Sequence, residues 1–247
     1  MNGGDDLILF EVAYRFDVTI DSTDVVKVTV PTVYSGYFGV SYDTPNGNRP
    51  AGYENQIVVF AGGPSVPAGA LPVGSAPAQD AGSAFVVPTT GQFSAQPYVV
   101  AYSVGPFTTA GGTGSYPNVA ATAYLPGGVG GSQPIQLTKP ALGIQAAQSG
   151  LISWTYSFPL GTNPQLNNAW IGLWDGTLSP YAFAPAFWAP VLGPQCTGLS
   201  PMLVRLSGNA QYVGALFTSG FNDDPSQLKR TAIAAVIAFT TGPPIPI

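Results

Sequence analysis

A chain of 247 residues with 31 Gly and 25 Pro is too rich in turn formers to be built of long helices, and with 45% apolar and 12% aromatic residues it is too rich in core formers to be disordered. It has no His and a single Cys, Cys196, which excludes Ser-His-Asp and Cys-His nucleophile systems, His-containing metal sites and an intrachain disulfide. Seven Lys and Arg stand against twelve Asp and Glu, for a net charge of −5 with no basic stripe, so nucleic acid is not an expected partner and most of the surface is uncharged.

The whole net charge lies at the N-terminal end, where Asp5, Asp6, Glu11, Asp17, Asp21 and Asp24 face only Arg15. The apolar run at 7–10 is too short for a signal-peptide core, and the longest apolar stretch, 232–239, falls far short of the roughly 20 residues of a membrane span. No Asn-x-Ser/Thr sequon occurs either, so the expected setting is cytoplasm, virion or inclusion, with non-classical export left open. Within 6–24, Tyr14, Phe16, Val18 and Ile20 alternate with Arg15, Asp17 and Thr19, which is the period of a strand. This strand has no counterpart later in the chain. It reads either as the first strand of the first domain or as an assembly arm that pairs with the sheet edge of a neighbouring subunit.

Short β-rich segments bounded by turn residues follow at 25–33, 37–43, 55–61, 84–88, 97–104 and 117–125. The Gly- and Pro-rich stretch 126–134 reads as a linker, and beyond it the pattern resumes at 135–139, 150–158, 168–175, 201–207, 210–219 and 229–241, with Gly208-Asn209 as a tight hairpin turn.

The second set repeats the first. At an offset of 114 residues, 35–62 lies on 149–176 without a gap, with eight identities: Ser35/Ser149, Gly36/Gly150, Tyr42/Tyr156, Pro45/Pro159, Gly47/Gly161, Pro50/Pro164, Ile57/Ile171 and Gly62/Gly176. Chance at this composition gives about two. Val40/Trp154 and Phe60/Trp174 place bulky apolar groups at matching points. The chain therefore reads as all-β, with two tandem immunoglobulin-like, alternatively jelly-roll, β-sandwich domains related by duplication. The expected divisions are 1–125, the linker 126–134, and 135–247.

In the second copy, Ile152-Ser153-Trp154-Thr155-Tyr156 is followed by Pro159, Pro164 and then Trp170-Ile171-Gly172-Leu173-Trp174, with Tyr181 beyond. This resembles the SKICH domain over about 40 residues, although Ala169 stands where that family usually has Asp. The resemblance implies an immunoglobulin-like sandwich used for interaction or localisation, without catalysis.

All four Trp fall in the second copy. Trp154 and Trp174 have apolar counterparts and read as core. Trp170, Tyr181, Phe183, Phe187 and Trp188 lack them and read as candidates for an exposed interface, a sugar-stacking platform or a lipid-facing patch. Carboxylates do not pair across the duplication, since Asp43, Glu54 and Asp175 face Ser157, Asn168 and Ala61. Asp17, Asp21 and Asp24 lack the ligand order of a calcium loop, and Ser226-x-x-Lys229 precedes a strand where the catalytic motif needs a helix. The expectation is a non-enzymatic structural protein without metal or cofactor, whose partner is itself in a capsid, filament or inclusion. The alternative is a lectin- or toxin-like module that meets a glycan or lipid surface through the aromatic loop.

Overall fold

The computed structural model describes residues 13–107, 116–131 and 134–247; the acidic Asp5, Asp6 and Glu11, and Ser132 and Gln133 of the expected linker, lie outside them. In chain order the strands are β1 (Tyr14–Arg15), β2 (Val18–Val25), β3 (Lys27–Val33), β4 (Phe38–Asp43), β5 (Gln56–Ala61), β6 (Gly74–Pro77), β7 (Ser83–Pro88), β8 (Tyr98–Ser103) and β9 (Val119–Leu125). They continue as β10 (Gln136–Thr138), β11 (Ala141–Ala147), β12 (Leu151–Ser157), β13 (Trp170–Asp175), β14 (Phe187–Pro190), β15 (Thr197–Leu203), β16 (Gln211–Phe217), β17 (Ile233–Thr241) and β18 (Ile245–Pro246). The fold is all-β. Among the described residues no helix is long and apolar enough to cross a membrane.

The first half is one eight-stranded sheet, ordered β10-β9-β8-β5-β6-β7-β4-β3, which curls until β3 packs against β8 and β9. In the second half the same order is opened between β14 and β15, giving a five-stranded sheet β14-β13-β16-β17-β2 and a three-stranded sheet β11-β12-β15. The second half is thus a sandwich of a small sheet on a large one, and the first half bends the corresponding strands into the same two layers, β3, β4 and β7 forming its small sheet, joined to the large one through the β6–β7 pairing.

The duplication is expressed in the backbone. β3/β11, β5/β13 and β7/β15 start 114 residues apart. Gly47 and Gly161 both take positive φ, at 96° and 87°, as do Glu54 and Asn168 at 56° and 53°. The turn bonds repeat as well: Asn55 N–H donates to Pro50 O at 2.8 Å and Ala169 N–H to Pro164 O at 2.9 Å. A turn that needs a left-handed residue holds its position in the sequence while core residues drift.

Three expectations need correction. The 18–25 strand, read as the extra strand of the 1–125 unit or as an arm toward a neighbouring subunit, pairs within its own chain. It lies antiparallel to β17 in the sheet of the second half, from Val25↔Ala235 to Val18↔Thr241. Tyr14 pairs with Pro246, Phe16 is buried, and Val18 and Ile20 sit opposite Thr241 and Phe239. Reciprocally, β10 follows the expected linker and would open the 135–247 unit, yet it pairs with β9 of the first half, Gln136 opposite Tyr124. Sheet membership therefore crosses both expected boundaries. Finally, Gly208-Asn209 joins β15 to β16, which lie in different sheets, so it is a crossover turn and no hairpin.

One core runs through both sandwiches, containing Val40, Val100, Tyr102, Trp154, Leu216 and Phe239 among others. The halves also meet at Asn118, whose Oδ1 accepts from Ser219 Oγ at 2.8 Å and from Lys229 Nζ at 3.1 Å while Nδ2 donates to Pro106 O at 2.7 Å. Partial burial at this junction lowers the pKa of Lys229.

The two cores are packed differently on the same frame. Where the first half has Val40 and Val100, the second has Trp154 and Gly214, and a Cβ on Gly214 would lie 2.6 Å from the Trp154 ring. Small has been exchanged for large on a strand of one sheet and large for small on a strand that faces it from the other, which conserves volume. Gly214→Val is expected to destabilise the protein by about 1–3 kcal/mol through overpacking and Trp154→Val by about 3–5 kcal/mol through a cavity. The double variant restores the pairing of the first half, so in denaturant melts it is expected to cost at least about 1 kcal/mol less than the two added together.

Candidate functional site

The aromatic loop of the second half folds over its own sheet. Trp170, a candidate for exposure, is fully buried: its ring stacks on Phe217 with centroids 3.7 Å apart and planes at 4°, and Nε1 donates to Ser219 O at 3.1 Å. It belongs to an outer-face cluster with Trp174 and Phe217, against which Tyr181 and Trp188 pack. Trp154 and Trp174 are likewise buried. The segment after β13 is pinned over this cluster by Trp174 Nε1, which donates to Phe183 O at 2.9 Å, and by Trp188 Nε1, which donates to Asn222 O at 3.1 Å.

Tyr181 has left the surface for the junction between the halves, stacked on Tyr53 at 5.8 Å and lying over Gly47. Burial pushes its phenol well above the usual tyrosine range. Phe183 is exposed and Phe187 half-buried. The five residues therefore do not form one exposed platform. The sequence signal misleads because β13 is covered on both faces, so the indole that alternation assigns outward meets a loop instead of solvent.

Exposed apolar groups gather elsewhere, on the outer faces of the small sheets. In the first half, Phe85 and Val87 of β7 point outward at 71% and 58% exposure. Tyr37 packs edge-on against Phe85 at 5.4 Å and Tyr34 against Tyr37 at 5.3 Å. In the second half, Leu199 and Leu203 of β15 point outward at 55% and 81%. Leu199 stands 114 residues from Phe85 and Pro201 114 from Val87, so the apolar outer face is duplicated. A sequence signal does exist for it. In Ser83-Ala84-Phe85-Val86-Val87, the buried Val86 lies between two bulky outward neighbours, which is an apolar strand without a polar face.

A different kind of surface lies at one end of the second sandwich, an open cleft of about 840 Å³. Asp175 at the end of β13, Phe187 of β14, Arg205 and Asn209 of the β15–β16 connection, and Gln211 at the start of β16 line it. None of the polar four has a hydrogen bond or ion pair from its side chain to another described residue. The connection itself is held firmly. The buried Thr241 Oγ1 donates to Ser207 O at 2.7 Å and accepts from Ala210 N–H at 3.0 Å, while Asn209, in the left-handed region at φ 54°, donates its N–H to Gly242 O at 3.1 Å.

The first half lacks this equipment. The residues 114 positions before Asp175, Gln211 and Thr241 are Ala61, Pro97 and Gly127, of which only Ala61 lies in a strand, and the place of Phe187 opposite Leu173 is taken by Gly74 opposite Val59. The space beside Gly74 is taken by the ring of Phe93.

Among the described residues no three His, Cys, Asp or Glu side chains converge as a metal site would require. Of the acidic N-terminal residues, Asp21 accepts from Thr240 Oγ1 at 2.7 Å and Asp24 from Asn46 N–H at 2.8 Å, so each serves a separate local contact. Compared with known proteins, the chain matches no family model and no curated protein.

Thr241→Val keeps the shape of the clamp and deletes its hydroxyl, leaving Ser207 O and Ala210 N–H without their partner. A stability loss of about 1–3 kcal/mol is expected. Amide exchange of residues 207–211 is expected to accelerate while that of β12 and β13 changes no more than global stability requires.

Proposed function

We propose that this protein is a non-enzymatic building block that associates with copies of itself through the outer faces of its two small sheets. The observation that carries this reading is the duplicated apolar face, Phe85 and Val87 on β7 and Leu199 and Leu203 on β15, all more than half exposed. Contiguous exposed apolar surface rimmed by polar groups is what association surfaces look like, and burying it takes apolar area out of water. With two such faces on one chain, a contact made through one leaves the other free, so association extends beyond a dimer. The SKICH resemblance of the second half points to the same class, an interaction module without catalysis.

The open edge of β2 is a poorer route to assembly. Asp21 and Asp24 sit on it, and charges on an edge strand oppose pairing with another chain. Two carboxylates of the acidic N-terminal segment thus lie on the edge that β2 leaves exposed.

Light scattering coupled to size exclusion tests the proposal over a range of concentrations. The wild-type chain is expected to run as concentration-dependent species larger than a dimer, and the double variant Phe85→Ser/Leu199→Ser as a 25.4 kDa monomer with an unchanged melting temperature. A wild-type monomer at every concentration, or assemblies indifferent to the double variant, would contradict it.

A further inference from the structure

We propose that the cleft at the end of the second sandwich binds neutral glycans, independently of self-association. The first support is comparison within the molecule. If Asp175 were needed to build the end of β13, the equivalent end of β5 would need a polar residue too, yet Ala61 pairs with Tyr98 there as Asp175 pairs with Tyr212. The polar lining is an addition to a frame that stands without it.

The second support is preorganisation. The connection bearing Arg205, Asn209 and Gln211 is fixed from beneath by the Thr241 hydroxyl, so ordering these side chains on a ligand does not require ordering the backbone that carries them. A tyrosine hydroxyl holds the connection in both halves, Tyr98 accepting from Ser94 N–H and Tyr212 from Ser207 N–H, each at 2.8 Å, and the Thr241 hydroxyl is a further tie in the second.

The chemistry of the lining selects the ligand class. One carboxylate and one guanidinium leave it without net charge, which favours neither a phosphate nor an ammonium. Asp175 offers acceptors, Arg205 a planar array of donors, and Asn209 and Gln211 both at once, a set suited to hydroxyl groups that donate and accept together. The half-buried ring of Phe187 supplies an apolar surface for the C–H face of a pyranose. The open shape suits part of a longer chain with its ends left in solvent.

The test is a printed array of oligosaccharides ending in glucose, galactose, mannose, N-acetylglucosamine or sialic acid, with hits measured in solution by saturation-transfer NMR on the full chain. Binding to one or more neutral glycans is expected, weakened about ten- to a hundredfold by Asp175→Ala and by Arg205→Ala. Asp175→Ala recreates the residue of the first half, and its melting temperature is expected to stay at the wild-type value. Should either variant melt early, Gln211→Ala is the substitute and is expected to weaken binding in the same way. No binding across the array, binding only of sialylated glycans, or binding that survives both substitutions would overturn the proposal. The Phe85→Ser/Leu199→Ser variant is expected to bind as the wild type does, which separates this site from the assembly surface.

Discussion

The organisation of this protein rests on the pairing of β2 with β17. A large sheet of this sandwich needs a fifth strand beyond β9 or β17, and the first half obtains it by letting the chain continue into β10. The second half obtains the equivalent strand from the other end of the chain, across more than 200 residues of sequence, as Val18 opposite Thr241 illustrates. Covering the outer side of β17 satisfies backbone groups next to Phe239 and Ile237, both fully or almost fully buried. The two sandwiches are therefore joined by a strand of each lying beside, or leading into, the other, and by the Asn118 contacts, more than by a linker. Closing so large a loop is entropically slow, so the second sandwich is expected to complete after the first.

Within that frame the two halves have been free to differ. Volume moves between facing strands across the core, as Val40 with Val100 becomes Trp154 with Gly214, while the ladder registers stay where they are. The same freedom extends to the surface. The small-sheet faces remain apolar in both halves, whereas the sandwich end around Asp175 is polar in one and lined by Ala61 and Pro97 in the other.

The sequence made the duplication legible because turns demand specific residues. Gly47 and Gly161, or Gly62 and Gly176, occupy left-handed backbone that other residues resist, and they anchor an alignment that core positions alone would have blurred. The strands carrying β-branched and aromatic residues, such as β5, β8 and β16, were legible for the same local reason. Short or atypical strands, such as β6, β11 and β14, were not. β6 and β14 hold Pro at one end and too few residues for a period, and β11, Ala-Leu-Gly-Ile-Gln-Ala-Ala, has the composition of a helix and is a strand only because β12 pairs with it. The alternation of residues 14–20 reads as one strand, where the chain forms β1 and β2 in different sheets, and it contains no information about which partner each joins, since period 2 describes faces and not partners. Trp170 was misread for a related reason: its burial comes from a loop distant in sequence. The cleft was invisible because its members lie on three separate segments and none of them forms a motif.

The most direct measurement of the central claim is thermal unfolding of a chain that begins at Val26, alone and with a synthetic peptide spanning residues 13–25 added in trans. If β2 is the strand that completes the second sandwich, the shortened chain loses its cooperative transition or melts far below the full chain, and the peptide restores much of the difference in a concentration-dependent way. A shortened chain that melts at the temperature of the intact protein, and is indifferent to the peptide, would contradict the account.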